Sequence, residues 1–238
     1  MNDSINTHRL SKRVAELLPC SRSEAERYIA GGWVSIDGAV VEEPAAHVEA
    51  GQHVSVHPNA TSNEIPPVTL VLHRPAGVTD PRTCVTHESW LQTEPGQPRF
   101  LKRHLIRLTD TTPLDPEASG LVVLTQDFNV ARKLVSDGQH VEQEYNVEVS
   151  GEIRENGLTL LNHGLAFNGK AIPPMKVSWQ SENRLRFALK GVQLGQLANM
   201  CQQVGLQVLS LKRIRIGRLP LARLPVGQWR YLHERERF

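Results

Sequence analysis

The amino-acid sequence predicts an α+β fold in two domains, and three observations support this. Apolar residues recur at helical spacing near the start of the chain. Short alternating segments typical of strands, bounded by Gly, Pro and Asp, follow at intervals along the rest of it. A polar segment, PNATSNEIPP, is typical of a linker. We therefore expect a small domain at residues 1–60, a linker at 61–67 and a larger domain at 68–238, built on a mixed, mainly antiparallel sheet flanked by helices.

The composition excludes several classes of protein. The 238 residues suffice for two modest cores, and no apolar run approaches the roughly 20 residues of a membrane span. The N-terminus lacks the apolar stretch of a secretory signal. Cys20, Cys84 and Cys201 lie far apart and form no metal-binding spacing. We expect a cytoplasmic monomer with reduced thiols, no structural zinc and no membrane contact.

The net charge of +2 hides an asymmetry along the chain. Residues 1–60 carry a net charge of −3, residues 61–183 carry −4, and residues 184–238 carry +9. A basic last third indicates either a contact with a polyanion or a set of arginines that pair with the acidic residues of the earlier segments. The sequence leaves both interpretations open.

The first domain begins with two predicted helices. The first helix ends at Pro19, and its apolar positions are Leu10, Val14, Leu17 and Leu18. Ser21 and Glu24 form a capping box for the second helix, which Gly31 ends. WVSIDGAVV then predicts a hairpin, and AGQHVSVHP predicts one more strand.

The stretch from Pro113 to Leu124 is the most informative part of the second domain. Its apolar run, Leu121 to Leu124, predicts a buried strand, and a carboxylate, Asp115, lies in the turn-rich segment before it. A loop that leads directly into a core strand is held rigidly and can aim a carboxylate at a substrate. The alternative is an ordinary turn aspartate that bonds to its own backbone.

The remaining elements of the second domain follow from local patterns. Predicted strands are VTLVLHR, HLIRLTD, HVEQEYNVEVSG, GLAFNGKAIPPMKVSW, NRLRFALKG and QVLSLKRIRIGRLPL. Predicted helices are residues 127–137 with Val130, Leu134 and Val135 as the apolar face, residues 152–161, and residues 195–205 with Leu197, Met200 and Cys201 as the buried side. A cationic cluster around Lys102 and Arg103 either faces RNA or is a solvated turn.

The motifs of both domains resemble those of a known enzyme family. Pro113 to Leu124 is similar to the catalytic loop of the pseudouridine synthases that modify ribosomal RNA, in the RsuA/RluB/RluE/RluF family. The matching positions are Leu114, Asp115, Gly120, Leu121, Val122, Val123, Leu124 and Thr125. CSRSEAERYIAGGWVSIDG resembles the S4 RNA-binding domain that this family carries, and the C-terminal IRIGRLPLARLPVGQWRYL resembles its ending, with features of the large-subunit branch.

The resemblance implies a chemistry and a set of site residues. Ribosomal RNA docks, the target uridine is flipped from its stack, and Asp115 attacks the nucleotide covalently. Tyr145 stacks on the uracil, and no cofactor or metal is needed. The residues expected to contact RNA are Lys12, Arg13, Arg22, Arg27, Arg74, Lys212, Arg213 and Arg215.

Four family arginines are replaced in this chain. One position in the catalytic loop holds Pro113, and three at the predicted helix 195–205 hold Gly195, Ala198 and Asn199. In the family, one of the latter pairs with the catalytic aspartate, and a buried carboxylate without a cation costs free energy to ionise. Arg74, Arg107 and Lys190 are candidate replacements. The sequence therefore predicts an active synthase, with a catalytically weak or inactive RNA-binding or ribosome-assembly protein as the alternative.

Overall fold

The structure is a computed structural model that describes residues 7–92 and 98–238. The described chain forms two compact units. The first comprises the described residues up to Pro67 together with Arg99–Ile106, and the second comprises the rest of the described chain. The chain therefore leaves the second unit after Pro98 and returns to it at Arg107.

The first unit packs two helices against short strands. Its elements are β1 (Thr7–Arg9), α1 (Leu10–Leu17), α2 (Arg22–Ala30), β2 (Val34–Ile36), β3 (Ala39–Val41), β4 (His47–Glu49) and β5 (Val54–Val56). The predicted capping box is confirmed, since the Ser21 side chain accepts a hydrogen bond from the Glu24 N–H and the Glu24 carboxylate accepts one from the Ser21 N–H. The predicted hairpin is also confirmed as the antiparallel pair β2–β3, whereas β1 and β4 were not predicted.

The strand predicted over HLIRLTD, residues 104–110, is present only at its end. A 3₁₀ turn lies at Lys102–Leu105, and only Thr109–Asp110 of the predicted strand is extended and paired. Leu101, His104 and Leu108 are buried, a spacing of three to four residues that suits a helical turn and not the alternation of a strand.

The second unit is organised around one mixed sheet of nine strands. Seven strands form the continuous order β12-β13-β9-β14-β8-β6-β16, and β7 and β15 pair with β8 and β14 at the side. Their bounds are β6 (Thr69–Arg74), β7 (Thr109–Asp110), β8 (Ser119–Thr125), β9 (Glu142–Ser150), β12 (Lys176–Ser181), β13 (Arg184–Lys190), β14 (Gln207–Ile216), β15 (Leu219–Pro220) and β16 (Trp229–Tyr231). Only β14 and β8 are parallel, so the predicted mixed, mainly antiparallel sheet is confirmed.

Three α-helices and one hairpin accompany the sheet in the described part of the second unit. They are α3 (Phe128–Val135), α4 (Gly157–Asn162), α5 (Gln196–Gln203) and the hairpin of β10 (Ala166–Phe167) with β11 (Lys170–Ala171). The predicted helix at 152–161 begins only at Gly157, because Asn156 takes a left-handed conformation with φ of 60°. Val135, predicted on the apolar face of α3, is 60% exposed.

The core of the second unit lies around β8. Leu121, Val122, Val123 and Leu124 are fully buried, which confirms the strand predicted from this apolar run. No helix in the described part of the chain is long and apolar enough to cross a membrane. Because β8 is buried in this core, the loop that leads into it is anchored in a rigid part of the unit.

Candidate active site

Asp115 lies half-buried in the loop between β7 and β8. Its Oδ1 accepts a hydrogen bond of 2.7 Å from the backbone N–H of Gly195, the residue that precedes α5. The loop thus presents Asp115 with one oxygen fixed.

Arg213 on β14 holds the Asp115 loop from one side. Its side chain is 1% exposed. Its Nε donates to the carbonyl of Leu121 at 2.7 Å, Nη1 donates to the carbonyl of Pro113 at 3.3 Å, and Nη2 donates to the carbonyl of Thr112. One planar guanidinium therefore binds backbone on both sides of Asp115.

Arg74, the last residue of β6, holds the same loop from another direction. It is 2% exposed, and its guanidinium donates to the carbonyls of Leu114, Asp115 and Ala118. Its Nε is buried without a hydrogen-bond partner. Arg74 and Arg213 were predicted to contact RNA, but both guanidinium groups are buried and engaged with backbone carbonyls. Their position corrects that interpretation, and we assign both to positioning the loop.

Gly120 allows the loop to come this close to β14. Its φ is +117°, and a Cβ built there would lie 2.3 Å from the carbonyl oxygen of Arg213. The parallel register pairs Gly120 with Arg213, so any side chain would push the two strands apart. The glycine thus brings β8, the loop and the bracing arginine together.

Tyr145 on β9 lies beside this arrangement. Its hydroxyl donates to Gln143 Oε1 at 2.7 Å, and the Arg213 guanidinium lies 6.0 Å from the ring centroid. Burial raises the pKa of Tyr145 and lowers that of Arg74, and the charge of Asp115 is a smaller influence on both. Asp115 therefore lies within electrostatic range of both Tyr145 and Arg74. The Tyr145 ring is 3% exposed, so the predicted stacking on a base stays a prediction that requires neighbouring side chains to move.

The candidate replacements for the family arginine do not pair with Asp115. Within residues 7–92 and 98–238, no arginine or lysine forms an ion pair with this carboxylate, whether Arg74, Arg107 or Lys190. Gly195 stands where the family has an arginine, and its backbone N–H donates a hydrogen bond to the Asp115 carboxylate in place of an arginine side chain. Gly195 has a φ of +77°, a left-handed conformation that costs a residue with a side chain roughly 1 kcal/mol, so glycine suits this geometry better than arginine.

The cations predicted to bind RNA in the first unit are at its surface. Lys12, Arg13 and Arg22 are exposed, and the latter two pair with Glu16 at 3.2 Å and Glu26 at 3.1 Å. Such exposed pairs on a helix are weak and break easily when a phosphate approaches. Arg27 is half-buried and its Nε has no hydrogen-bond partner.

Part of the basic C-terminal third is neutralised within the sheet. Arg215 and Arg186 both bind the carboxylate of Glu144, and Arg215 also binds Glu142. These pairs lower the pKa of Glu144 although its burial opposes the shift. The interpretation that the C-terminal arginines pair with acidic residues of the earlier segments therefore holds for these two. Of the remaining predicted RNA contacts, Lys212 is half-buried on β14.

A cavity lies beside the loop before α5, and of the lining residues named here the sequence singled out only Lys190. Its volume is about 710 Å³, and its lining includes Phe167, Lys170, Lys190 and the two residues that flank the loop before α5, Gln193 and Gln196. The short hairpin β10–β11 carries no motif, so only the tertiary structure brings these side chains to the site. The described residues contain no cluster of three or more His, Cys, Asp or Glu that could hold a metal ion.

Comparisons with known proteins agree with both units. The S4 domain profile matches residues 8–54. The dual-specificity RNA pseudouridine synthase RluF of Escherichia coli K12 is 28% identical over 235 residues, which cover 96% of this chain and 76% of that protein. An uncharacterized RNA pseudouridine synthase of Aquifex aeolicus is 29% identical over 236 residues, which cover 96% of this chain and 94% of that protein.

Among solved structures, a crystal structure of a pseudouridylate synthase has the same fold. It superimposes with a TM-score of 0.59 at 21% identity and covers 95% of this chain and 96% of that one. The chain is therefore a homologue of RluF and of other pseudouridine synthases of the RsuA family, with an S4 domain at its N-terminus.

Proposed function

We propose that this protein isomerises a uridine of ribosomal RNA to pseudouridine, with Asp115 as the nucleophile. The observation that carries the proposal is the placement of Asp115 in a loop braced by two buried arginines, next to Tyr145 and a basic cavity. The homology to RNA pseudouridine synthases supplies the substrate class.

The residues of the site account for the steps of the reaction. The loop holds Asp115 in place, and the Gly195 N–H leaves one carboxylate oxygen, Oδ2, for attack on the flipped nucleotide. The glycosidic C–N bond breaks, the uracil turns while it is held, and a bond to its carbon C5 replaces the one to nitrogen. The bond between Asp115 and the nucleotide breaks again, so the carboxylate is regenerated. The carbon C5 loses a proton to solvent and the nitrogen N1 takes one up from solvent, so the product has the same composition as the substrate. No step requires a metal or a cofactor.

We further propose that the protein acts as a cytoplasmic monomer on large-subunit ribosomal RNA. The exposed Lys12, Arg13 and Arg22 of the S4 domain supply RNA contacts away from the reacting nucleotide. Phosphate contacts of this kind position an RNA without reading its sequence.

A second function is favoured by one observation. No cation pairs with the Asp115 carboxylate in the described part of the chain, as expected for a homologue that binds ribosomal RNA without modifying it. We place synthase activity first, because the Gly195 N–H gives Asp115 a fixed donor in place of the arginine.

One experiment separates the two functions. Ribosomal RNA transcribed in vitro, and therefore free of pseudouridine, is incubated with the full-length protein, and pseudouridine is mapped by carbodiimide modification and primer extension. A new pseudouridine at one position is the expected result. RNA binding with no pseudouridine at any position would exclude synthase activity on that RNA and favour the binding protein.

A further inference from the structure

The cavity beside Asp115 continues into a second one. The first, of about 710 Å³, is lined by the β10–β11 hairpin, the start of β12 and the end of β13. The second, of about 810 Å³, lies between α3 and the end of β14. Glu142 and Lys190 line both, so the two form one groove along the surface of the second unit.

The groove concentrates positive charge. Its lining contains seven lysines and arginines but only two acidic side chains, Asp137 and Glu142, whereas the whole chain has a net charge of only +2. Arg215 is already paired with Glu142 and Glu144. The other six cations are exposed and form no ion pair within the described residues: Arg132, Lys133, Lys170, Lys176, Lys190 and Arg218.

An aromatic side chain lies where the groove meets the catalytic loop. Phe167, at the end of β10, is half-buried and lines the first cavity. A Cβ built on Gly195 would lie 3.8 Å from Phe167 Cζ, so the ring packs against the residue whose N–H binds Asp115. The Tyr145 ring, by contrast, is 3% exposed. Phe167 is thus the aromatic side chain that a base next to the reacting nucleotide would meet.

We propose that this groove binds the RNA strand that flanks the target uridine, with Phe167 stacking on a neighbouring base and Lys170, Lys176 and Lys190 contacting its phosphates. This inference rests on the proposed function for the identity of the nucleic acid. Basic grooves with interleaved aromatic side chains are the usual way in which proteins bind single strands. When cations without an internal ion pair bind phosphates, counterions are released and no ion pair within the protein has to break.

The charge contribution is tested by salt dependence with a matched control. Binding of a dodecamer of uridylate to the full-length protein is measured from 50 to 300 mM KCl for the wild type and for the triple variant Lys170→Gln/Lys176→Gln/Lys190→Gln. Each phosphate contact on a single strand contributes about 0.7 to the slope of log K against log salt, so the slope falls by about 2. The control triple variant Arg184→Gln/Arg223→Gln/Arg235→Gln removes equal charge from exposed arginines outside the groove, and its slope changes by less than about 0.5.

The stacking contribution is tested at Phe167. Phe167→Ala weakens uridylate binding roughly 5- to 150-fold with the slope unchanged, and Phe167→Tyr restores it, because any base stacks on an aromatic face. Equal affinity of Phe167→Ala and the wild type would overturn this part of the inference. Circular dichroism confirms that each variant is folded.

The outcomes also separate this inference from the synthase activity. If the wild type forms pseudouridine in ribosomal RNA and the groove variants do so with unchanged KM, the groove is not the RNA site and the activity stands. If no pseudouridine forms but the groove variants lose uridylate affinity as described, the groove stands and the activity fails. If a glutamate dodecamer binds as tightly as uridylate and depends equally on Phe167, the groove recognises an acidic protein segment and the inference is wrong.

Discussion

Two arginines show how strongly the role of a side chain depends on its surroundings. Arg74 and Arg213 resemble RNA-binding cations in the sequence, but the structure buries both against carbonyls of the loop that holds Asp115. The direction of a side chain on a strand is fixed by the register of the sheet, which a local pattern does not reveal. Asp115 itself was recognisable, because its motif is continuous in sequence.

The bracing role of Arg213 predicts a large loss of stability in a conservative variant. Arg213→Lys keeps the charge, but one ammonium group cannot reach the carbonyls of Thr112, Pro113 and Leu121 together. We expect the free energy of unfolding to fall by about 2–4 kcal/mol, measured by urea denaturation.

Arg218→Lys is the matched control for this change. Arg218 is an exposed arginine five residues further along the chain, and its replacement should change the unfolding free energy by less than about 0.5 kcal/mol. Equal effects of the two variants would contradict the role assigned to Arg213.

His104 predicts a pH dependence of the first unit. Burial lowers the pKa of this histidine to about 4, and its side chain is 2% exposed. The unfolded chain takes up the proton near pH 6.5 and the folded protein does not, so stability is lost as the pH falls from about 6.5 towards 4. The difference amounts to about 3 kcal/mol once the pH is below 4.

NMR titration of the histidine ring protons measures this directly. His104→Gln identifies the resonance and should flatten the stability profile between pH 6.5 and 4. His163→Gln, at an exposed position, should leave the slope of the profile as it is. Titration of the His104 ring near pH 6.5 in the folded protein would refute the assignment.

At the scale of elements, the parallel pair β8–β14 sets the geometry of the site. It is the one parallel pair among the described strands, and it places the loop before β8 beside α5, which begins in the chain segment before β14. Antiparallel neighbours on the other sides of these two strands bring in Arg74 from β6 and Tyr145 from β9. Three segments distant in sequence thus meet around Asp115.

Gly120→Ala tests how close this pairing must be. A Cβ at Gly120 would meet the backbone of Arg213 at 2.3 Å, and backbone in a central strand cannot yield as a flexible side chain could. We expect a loss of about 3 kcal/mol or more in unfolding free energy and a matching loss of activity.

Gly77→Ala provides the comparison, since Gly77 also has a positive φ but has no atom within 4 Å of the added Cβ. We expect Gly77→Ala to lower the free energy of unfolding only by its backbone strain, about 1 kcal/mol. If Gly120→Ala is no more damaging than Gly77→Ala, the close approach of β8 and β14 is not required.

Most elements were predictable, and the exceptions have physical causes. The strands with clear alternation or a continuous apolar run, such as β8 and β9, were found, as was the capped helix α2. The segment from His104 to Leu108 was mistaken for a strand, because its buried residues His104 and Leu108 are four positions apart, a spacing that local alternation does not reveal. Phe167, Lys170 and Lys176 were missed, because a cavity is a property of tertiary structure.

At the scale of the whole molecule, charge is redistributed by folding. The last 55 residues have a net charge of +9, and some of their arginines form ion pairs inside the sheet. The basic surface of the groove also includes lysines from the middle of the chain, such as Lys170 and Lys176. The charge distribution along the sequence therefore identified the basic segment of the chain, but it did not identify the surface on which the exposed cations lie.

The measurement that tests the central claim most directly compares two isosteric variants of neighbouring carboxylates. Asp110→Asn and Asp115→Asn each replace one aspartate of the segment before β8, and both residues are half-buried. Burial raises the pKa of Asp110. Pseudouridine formation in unmodified ribosomal RNA is followed for both variants and the wild type, with RNA affinity measured in parallel.

Asp115→Asn is expected to lower the rate by at least about 10³-fold with RNA affinity retained, because the nucleophile is lost, while Asp110→Asn stays within about tenfold of the wild type. Pseudouridine formation by Asp115→Asn at the rate of the wild type would contradict the assignment of the nucleophile and with it the proposed mechanism.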